Sequence, residues 1–174
     1  MTTPGIECIY DASTVATGVH ALGKRIESEI AAEDPLVVSL LSGSVIFLAD
    51  LIRAIATPLR FSFIQSDTAD DATGPKRVHY PLPLDIAGQS LLVLKDVVSS
   101  GVVETYLADE LRQHGARRVR FAALIDLPSE RKTDFALDYA VFTTERPGTF
   151  AGYGLKHDGH FGSLPFLGRL VEDS

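Results

Sequence analysis

The chain has 174 residues, 45% of them hydrophobic and 22% charged, so it can bury a substantial core as a single domain over residues 1–174. Its formal net charge of −7 argues against extended contact with nucleic acid, which needs a cationic surface. Cys8 is alone, the N-terminus lacks the pattern of a signal peptide, and no apolar run approaches the roughly 20 residues of a membrane span, so we expect a cytoplasmic protein without membrane contact.

The first half of the chain predicts a helix, a strand, a second helix and a second strand. The first helix follows from apolar residues spaced three and four apart, namely Val15, Val19, Leu22, Ile26 and Ile30. The apolar run 36–41 predicts a strand that enters a tight loop, Ser42-Gly43-Ser44, before a helix through residues 47–55. Residues 59–65 predict the next strand.

A polar region without apolar periodicity follows. Residues 66–76 predict a mobile loop, and residues 78–84 predict a flap strand that Pro81 and Pro83 interrupt. Residues 85–88 predict a turn that leads back into the core.

The second half repeats the alternation of strand and helix. A buried strand begins at Leu91 and ends at Val98, and the helix after Gly101 is expected to end at Gly115 in a left-handed conformation. Residues 118–125 and 138–143 predict two more strands. This alternation predicts an α/β fold with a mostly parallel sheet, whose loops after Leu41, Val98 and Ile125 share one edge.

The segment Ser99-Ser100-Gly101 has the frame of a phosphate site. A strand that delivers small residues to a helix start leaves backbone N–H groups unpaired at the positive end of the helix dipole. The same residues would also serve as a structural helix cap. A magnesium-dependent site needs carboxylates, yet this segment offers one acid, Asp96, beside Lys95.

With these elements in order, the sequence resembles the hypoxanthine-guanine phosphoribosyltransferases over nearly the whole chain. The resemblance rests on residues 40–51, residues 91–105, residues 122–128 and the Gly152-Tyr153-Gly154-Leu155 segment ahead of Leu164-Pro165. It implies the type I phosphoribosyltransferase fold, a mostly parallel sheet with flanking helices under a small hood or flap. It also implies magnesium-assisted attack of a purine on phosphoribosyl pyrophosphate, and assembly into homodimers or homotetramers.

The resemblance implies which positions of this chain correspond to the family's functional residues. At most of those positions around the phosphates and the ribose, the family's charged group is replaced. The family's lysine of the pyrophosphate loop is Ser42 here, followed by Gly43. Where the family has two consecutive acids that meet the ribose hydroxyls, this chain has Lys95 and Asp96. The lysine opposes magnesium and is instead a candidate for contacting an anion directly.

The positions that follow in the same segment lack most of the side chains that the family uses for proton transfer and for binding the 5′-phosphate. The acid proposed to accept the proton of the purine is matched by Ser99, and the two threonines of the 5′-phosphate site are matched by Ser100 and Val103. Asp96 and Ser99 therefore occupy family positions without the family's full chemistry, while Ser99, Ser100 and Gly101 remain phosphate-binding candidates.

The base pocket and the C-terminal loop also depart from the family. The purine-reading lysine is replaced by Leu127, and Phe150 lies one position away from the family's stacking aromatic. Lys156 stands where the family has a magnesium-binding aspartate, and Gly162 where it has an arginine that grips pyrophosphate. The nearby His157 and His160 do not have a zinc-binding spacing, so no metal site is predicted.

These residues lead to three hypotheses. The first is an impaired relative that binds a nucleotide or sugar phosphate through Ser99, Ser100 and Gly101, with Lys95 or Lys156 nearby, in a regulatory or structural role. The second is an active purine or related base phosphoribosyltransferase with an atypical site, which would use Mg²⁺. The third is a subunit whose missing groups come from a protein partner.

Overall fold

Strands and helices alternate along the chain, and the computed structural model describes them over residues 5–41, 43–67, 77–79 and 85–171. The strands are β1 (Gly5–Tyr10), β2 (Leu36–Leu40), β3 (Arg60–Asp67), β4 (Arg77–His79), β5 (Ser90–Val98), β6 (Arg118–Asp126), β7 (Tyr139–Thr143), β8 (Phe150–Ala151) and β9 (Leu167–Val171). The helices are α1 (Ala12–Ile30), α2 (Val45–Ala54) and α3 (Val102–Gln113), with 3₁₀ turns at Ala31–Glu33 and Pro128–Glu130.

Within the described residues, the central sheet has six strands in the order β4-β3-β2-β5-β6-β7. All neighbouring strands run parallel except β4, which pairs antiparallel with β3. β5 lies in the middle, and its first five residues are buried, as a strand covered on both faces requires. The predicted α/β class with a mostly parallel sheet is confirmed.

Helices cover both faces of this sheet because successive strand side chains point to opposite sides. Leu92 and Leu94 of β5 belong to the apolar cluster of α1 and α2, whereas Leu91 and Val93 pack with Leu107 of α3. Among the described residues, no helix has both the length and the apolar character needed to cross a bilayer.

The end of α3 agrees with its predicted stop signal. Gly115 has a φ of 89° and donates its N–H to the carbonyl of Arg112 at 2.9 Å. The N–H of Ala116 reaches back to Leu111 at 3.0 Å, so two carbonyls at the helix end are satisfied.

A small second sheet forms the hood that the family resemblance implies. Its antiparallel strands lie in the order β1-β9-β8, so the two ends of the chain meet, with Gly5 opposite Val171. Phe150 of β8 lies opposite Arg169 of β9. The local sequence patterns did not predict these three strands.

The flap agrees only partly with its prediction. The expected loop of residues 66–76 is wrong at its start, because Ser66 and Asp67 continue β3 where β4 supplies an antiparallel partner for their backbone. Residues 77–79 form the beginning of the flap strand. The remaining predicted residues of the loop and flap, 68–76 and 80–84, lie outside the described part of the chain.

The carboxyl ends of β2, β5 and β6 lie at one edge of the sheet, which we call the rim. The N–H of Leu127 donates to the carbonyl of Val98 at 2.9 Å, which joins the ends of β5 and β6, and the N–H of Leu41 donates to the carbonyl of Ile64 in β3 at 2.9 Å. The prediction that these loops share one edge is confirmed.

Candidate functional site

The turn of residues 99–101 joins the buried strand β5 to the start of α3 at the rim. Gly101 has a φ of 77°, a left-handed conformation that favours glycine. The carbonyl of Gly101 accepts the N–H of Thr105 at 2.9 Å and its hydroxyl at 2.8 Å, which fixes the first turn of the helix. These contacts therefore fix the backbone conformation of the turn.

The same turn presents free backbone donors. In the part of the chain that the structure describes, the N–H groups of Ser99, Ser100 and Gly101 donate no hydrogen bond. They stand at the N-terminal end of α3, where aligned peptide dipoles add a partial positive charge. Together the three donors and the dipole suit an oxyanion such as a phosphate.

The segment after β6, residues 128–135, packs against this turn from behind, and we call it the strap. The N–H of Lys132 donates to the carbonyl of Ser100 at 2.9 Å, and Arg131 donates to the carbonyl of Ser99 at 2.5 Å. A Cβ built on Gly101 would lie 2.6 Å from the hydroxyl of Thr133. The local sequence gave no signal for these contacts, because a single arginine in a polar loop resembles any solvated cation.

Lys95 lies between two carboxylates beneath the turn. Its Nζ is 3.6 Å from Oε1 of Glu104 and 3.7 Å from Oδ1 of Asp96. The side chains of Lys95 and Glu104 are 13% and 4% exposed. The ammonium is thus neutralised within the protein, and its contact with a ligand stays a prediction.

Asp96 joins the turn to the loop after β2. Its Oδ1 accepts the N–H of Val97 at 2.8 Å, and its carboxylate packs so closely on Gly43 that a Cβ there would lie 2.9 Å from its Cγ. A Cβ built on Gly154 would lie 2.6 Å from the carbonyl oxygen of Gly43, so these two glycines also approach each other closely. Gly43 therefore serves as a close-approach residue, whereas Ser42, the other candidate in this loop, lies outside the described residues.

The two base-pocket candidates belong to one apolar cluster. Leu127 is 2% exposed and Phe150 is 6% exposed, and both pack in the core cluster that also contains Tyr153 and Leu155. Leu127 cannot donate a hydrogen bond from its side chain. The structure brings these residues together as an apolar wall between the hood and the sheet, and their contact with a base stays a prediction.

Tyr153 fastens the hood to α2. Its hydroxyl donates to Oδ2 of Asp50 at 2.5 Å, and its backbone has a φ of 50°. Burial, reinforced by this bond to a carboxylate, raises the pKa of Tyr153 above its ordinary range. The neutral phenol is accordingly a structural hydrogen-bond donor rather than a proton-transfer group.

Lys156 lies in the hairpin that follows the hood strand β8. It is exposed and forms no ion pair with any described residue. Its stem crosses Gly162, where a Cβ would lie 2.9 Å from Cγ of the lysine. The neighbouring His157 and His160 pair through their backbones at 3.2 and 2.9 Å.

The acids at the rim do not fit a magnesium ion. Asp96 and Glu104 face the ammonium of Lys95, and Asp126 is paired with Arg131. Within the described ranges, no group of three or more histidine, cysteine, aspartate or glutamate side chains is placed to hold a metal. Magnesium in proteins usually needs one or two free carboxylates beside the phosphates of its ligand.

Comparison with known proteins shows the family to which this chain belongs. The family described as "Phosphoribosyl transferase domain" matches residues 6–158. The hypoxanthine-guanine phosphoribosyltransferase of Bacillus subtilis (strain 168) is 32% identical over 156 residues, which cover 87% of this chain and 86% of the relative. The chain belongs to the hypoxanthine-guanine phosphoribosyltransferase family.

Other members agree in sequence and in fold. The hypoxanthine-guanine phosphoribosyltransferase of Streptococcus pneumoniae (strain ATCC BAA-255 / R6) is 30% identical over 163 residues, which cover 91% of this chain and 89% of the relative. A crystal structure of a hypoxanthine-guanine phosphoribosyltransferase from Bacillus anthracis has a TM-score of 0.88 at 26% identity, over 95% of this chain and 97% of that one. The type I phosphoribosyltransferase fold is therefore shown.

In this member of the hypoxanthine-guanine phosphoribosyltransferase family, two candidate positions of the C-terminal loop meet in space. Lys156, at the position where the resemblance implies an aspartate, covers Gly162, at the position where it implies an arginine. A cation therefore lies beside Gly162 at this part of the rim.

Proposed function

We propose that this phosphoribosyltransferase-like protein binds the phosphate of a nucleotide or sugar phosphate without magnesium, is impaired in ribosyl transfer, and acts in a regulatory or structural role. The observation that carries this proposal is the contrast at the end of β5. The turn 99–101 keeps three free N–H donors, whereas the position of a ribose-binding acid is filled by Lys95, which two carboxylates neutralise.

Phosphate binding is supported by chemistry that does not depend on the lost acids. Backbone N–H groups at a helix start bind an anion without a metal, and α3 is a helix of 12 residues. The hydroxyls of Ser99 and Ser100 lie on the same turn, so side-chain donors are available as well.

Impaired transfer is supported by the replacement of groups that would act during the reaction. Ser99 is a poor proton acceptor at neutral pH, and Leu127 offers no donor to a purine oxygen. General acid–base catalysis contributes roughly 10² to 10⁴-fold, and one electrostatic donor roughly 10² to 10³-fold. Losing several such groups together would remove most of the rate.

Self-association into a homodimer or homotetramer is part of the same proposal. Leu41 follows β2, Val45 and Ile46 begin α2, and the three residues are 36%, 41% and 36% exposed. Such an apolar group is typical of a protein contact surface. Sedimentation velocity at several protein concentrations tests this, and a monomer throughout contradicts it.

The decisive test measures binding and turnover on the same preparation. We expect ribose 5-phosphate, inosine 5′-monophosphate or guanosine 5′-monophosphate to bind in EDTA, as seen by calorimetry, and added magnesium not to strengthen the binding. Phosphoribosyl pyrophosphate with hypoxanthine, guanine or xanthine should yield little nucleotide in the presence of magnesium. Absence of binding by all phosphates contradicts the binding role, and rapid turnover favours the active alternative.

A further inference from the structure

Arg131 makes an unusual set of contacts behind the turn 99–101. Its side chain is 15% exposed, and one guanidinium nitrogen donates to the carbonyls of Val98 at 3.1 Å and Ser99 at 2.5 Å. Its Nε donates to the carbonyl of Phe135 at 3.3 Å, and its other nitrogen pairs with Oδ1 of Asp126. The guanidinium thus joins the end of β5, the end of β6 and the strap.

These contacts fix the direction of the donors on the other side of the turn. In a planar trans peptide, the C=O of one residue and the N–H of the next point in opposite directions. The carbonyls of Val98 and Ser99 point toward Arg131, and the carbonyl of Ser100 points toward the N–H of Lys132. Three successive peptides are held from behind, so the N–H groups of Ser99, Ser100 and Gly101 face away from the strap.

We infer that Arg131 is a positioning residue for the phosphate site, aiming the N–H groups of Ser99 and Ser100 at a phosphate that it does not itself contact. This inference rests on the proposed function. It differs from the usual role of an arginine near a phosphate, in which the charge of the guanidinium meets the ligand directly.

The geometry requires arginine rather than any cation. A planar guanidinium presents five donors in a fixed fork, whereas a lysine ammonium is a compact charge with three donors on a flexible stem. Lysine at position 131 keeps the charge but cannot bridge the carbonyls of Val98, Ser99 and Phe135 while also pairing with Asp126. A lysine variant therefore separates the effect of the positive charge at position 131 from the effect of the hydrogen bonds that the guanidinium makes.

The test compares R131K with R131M and with the matched control R120K. Arg120 lies on β6, the strand that ends at the Arg131 partner Asp126, and its side chain is 18% exposed. It is also paired with a carboxylate, Glu33, but near the opposite end of the strand. Calorimetry with ribose 5-phosphate in EDTA should show that R131K and R131M both bind about tenfold more weakly than the original protein, because charge-assisted hydrogen bonds that hold the donors are lost. R120K should bind as the original does, even where its melting temperature falls.

The outcomes separate this inference from the proposed function. Wild-type affinity in R131K combined with weak binding in R131M would mean direct charge contact and would overturn positioning. If the original protein binds no phosphate, the proposed function fails, and amide NMR of the free protein still decides the inference. The signals of Ser99, Ser100 and Gly101 should shift in R131K but not in R120K, and unchanged signals overturn it. Should R131K fail to fold, D126N serves in its place, since it loosens the same guanidinium.

Discussion

At the scale of single residues, Gly101 combines two separate reasons for being glycine. Its φ is 77°, and a Cβ would lie 2.6 Å from the Thr133 hydroxyl and 2.9 Å from Cβ of Phe135. Gly88 has a similar φ of 72° but nothing within 4 Å of its Cβ position. Comparing alanine variants at the two positions therefore separates the cost of a left-handed backbone from the cost of crowding by the strap.

We predict that G101A costs more stability than G88A and also weakens phosphate binding. Left-handed backbone alone should cost about 1–2 kcal/mol in both variants. Crowding adds about 1–3 kcal/mol in G101A, because the strap has to move. Urea unfolding and ribose 5-phosphate calorimetry on both proteins measure this, and equal losses of stability would show that the strap does not press on Gly101.

Gly43 allows a second prediction, because its φ is not positive and its constraint is a neighbour. A Cβ there would meet the carboxylate of Asp96, with 2.9 Å to Cγ and 3.2 Å to Cβ of that side chain. We expect G43A to destabilise the protein by about 1–3 kcal/mol through overpacking. In a D96A background the same change should cost much less, and additive effects in the double-mutant cycle would contradict the contact.

At the scale of elements, the ion pair of Lys95 and Glu104 connects β5 with the first turn of α3. Glu104 is 3% exposed, so its carboxylate depends on Lys95 for compensation. We predict that K95M destabilises the protein by roughly 3–5 kcal/mol, because an uncompensated charge stays buried. The double variant K95M/E104L should recover most of that loss in urea unfolding.

The same variants decide whether Lys95 serves a ligand. If the lysine is an internal counter-ion, K95M/E104L keeps its affinity for ribose 5-phosphate. A marked loss of affinity in a stable double variant would instead assign Lys95 to the ligand. Lys24→Ala, which removes an exposed lysine paired with Glu27, is the matched control for the change in net charge in K95M, whereas K95M/E104L leaves the net charge unchanged.

Local pattern and long-range contact explain which elements the sequence reveals. β2, β5 and β6 are predictable because a strand covered on both faces is a short continuous apolar run. The hood strands are not, since β1 pairs with β9 at the far end of the chain and β8 has two residues. The hood was expected only from the family resemblance.

In the candidate site, too, local features are predictable from the sequence and long-range contacts are not. The turn 99–101 is predictable, because small residues between a strand and a helix are a local signal. Arg131 reaches Val98 across 33 positions, and Lys95 reaches Glu104 between two elements, so neither contact has a sequence period to reveal it. The turn itself is local, whereas its support depends on tertiary packing.

At the scale of the whole molecule, a charged cluster lies at the opposite end of the sheet from the rim. Glu33, in the turn after α1, accepts hydrogen bonds from Arg120 at 3.0 and 2.9 Å and from Arg118 at 3.1 Å. It also accepts the hydroxyl of Ser90 at 3.1 Å. One carboxylate thus ties α1 to β5 and β6.

This cluster predicts how the protein responds to acid. Hydrogen bonds from Arg120 above all lower the pKa of Glu33 from 4.5 to about 2. The folded form therefore favours the charged carboxylate, and its contribution to stability is complete above pH 4.5. Below that value the unfolded chain takes up a proton that the folded chain does not, so stability falls as the pH drops from about 4.5 to about 2.

We expect E33Q to be less stable than the original protein at pH 7 and to lose less stability across this acidic window. Urea midpoints measured from pH 7 to pH 2.5 test this, with E145Q as control, since Glu145 is exposed and forms no ion pair within the described residues. A parallel acid profile for E33Q and the original would contradict the assignment. Ribose 5-phosphate affinity at pH 7 should be the same in both, because Glu33 joins the strands where they begin, whereas the turn 99–101 lies where β5 ends.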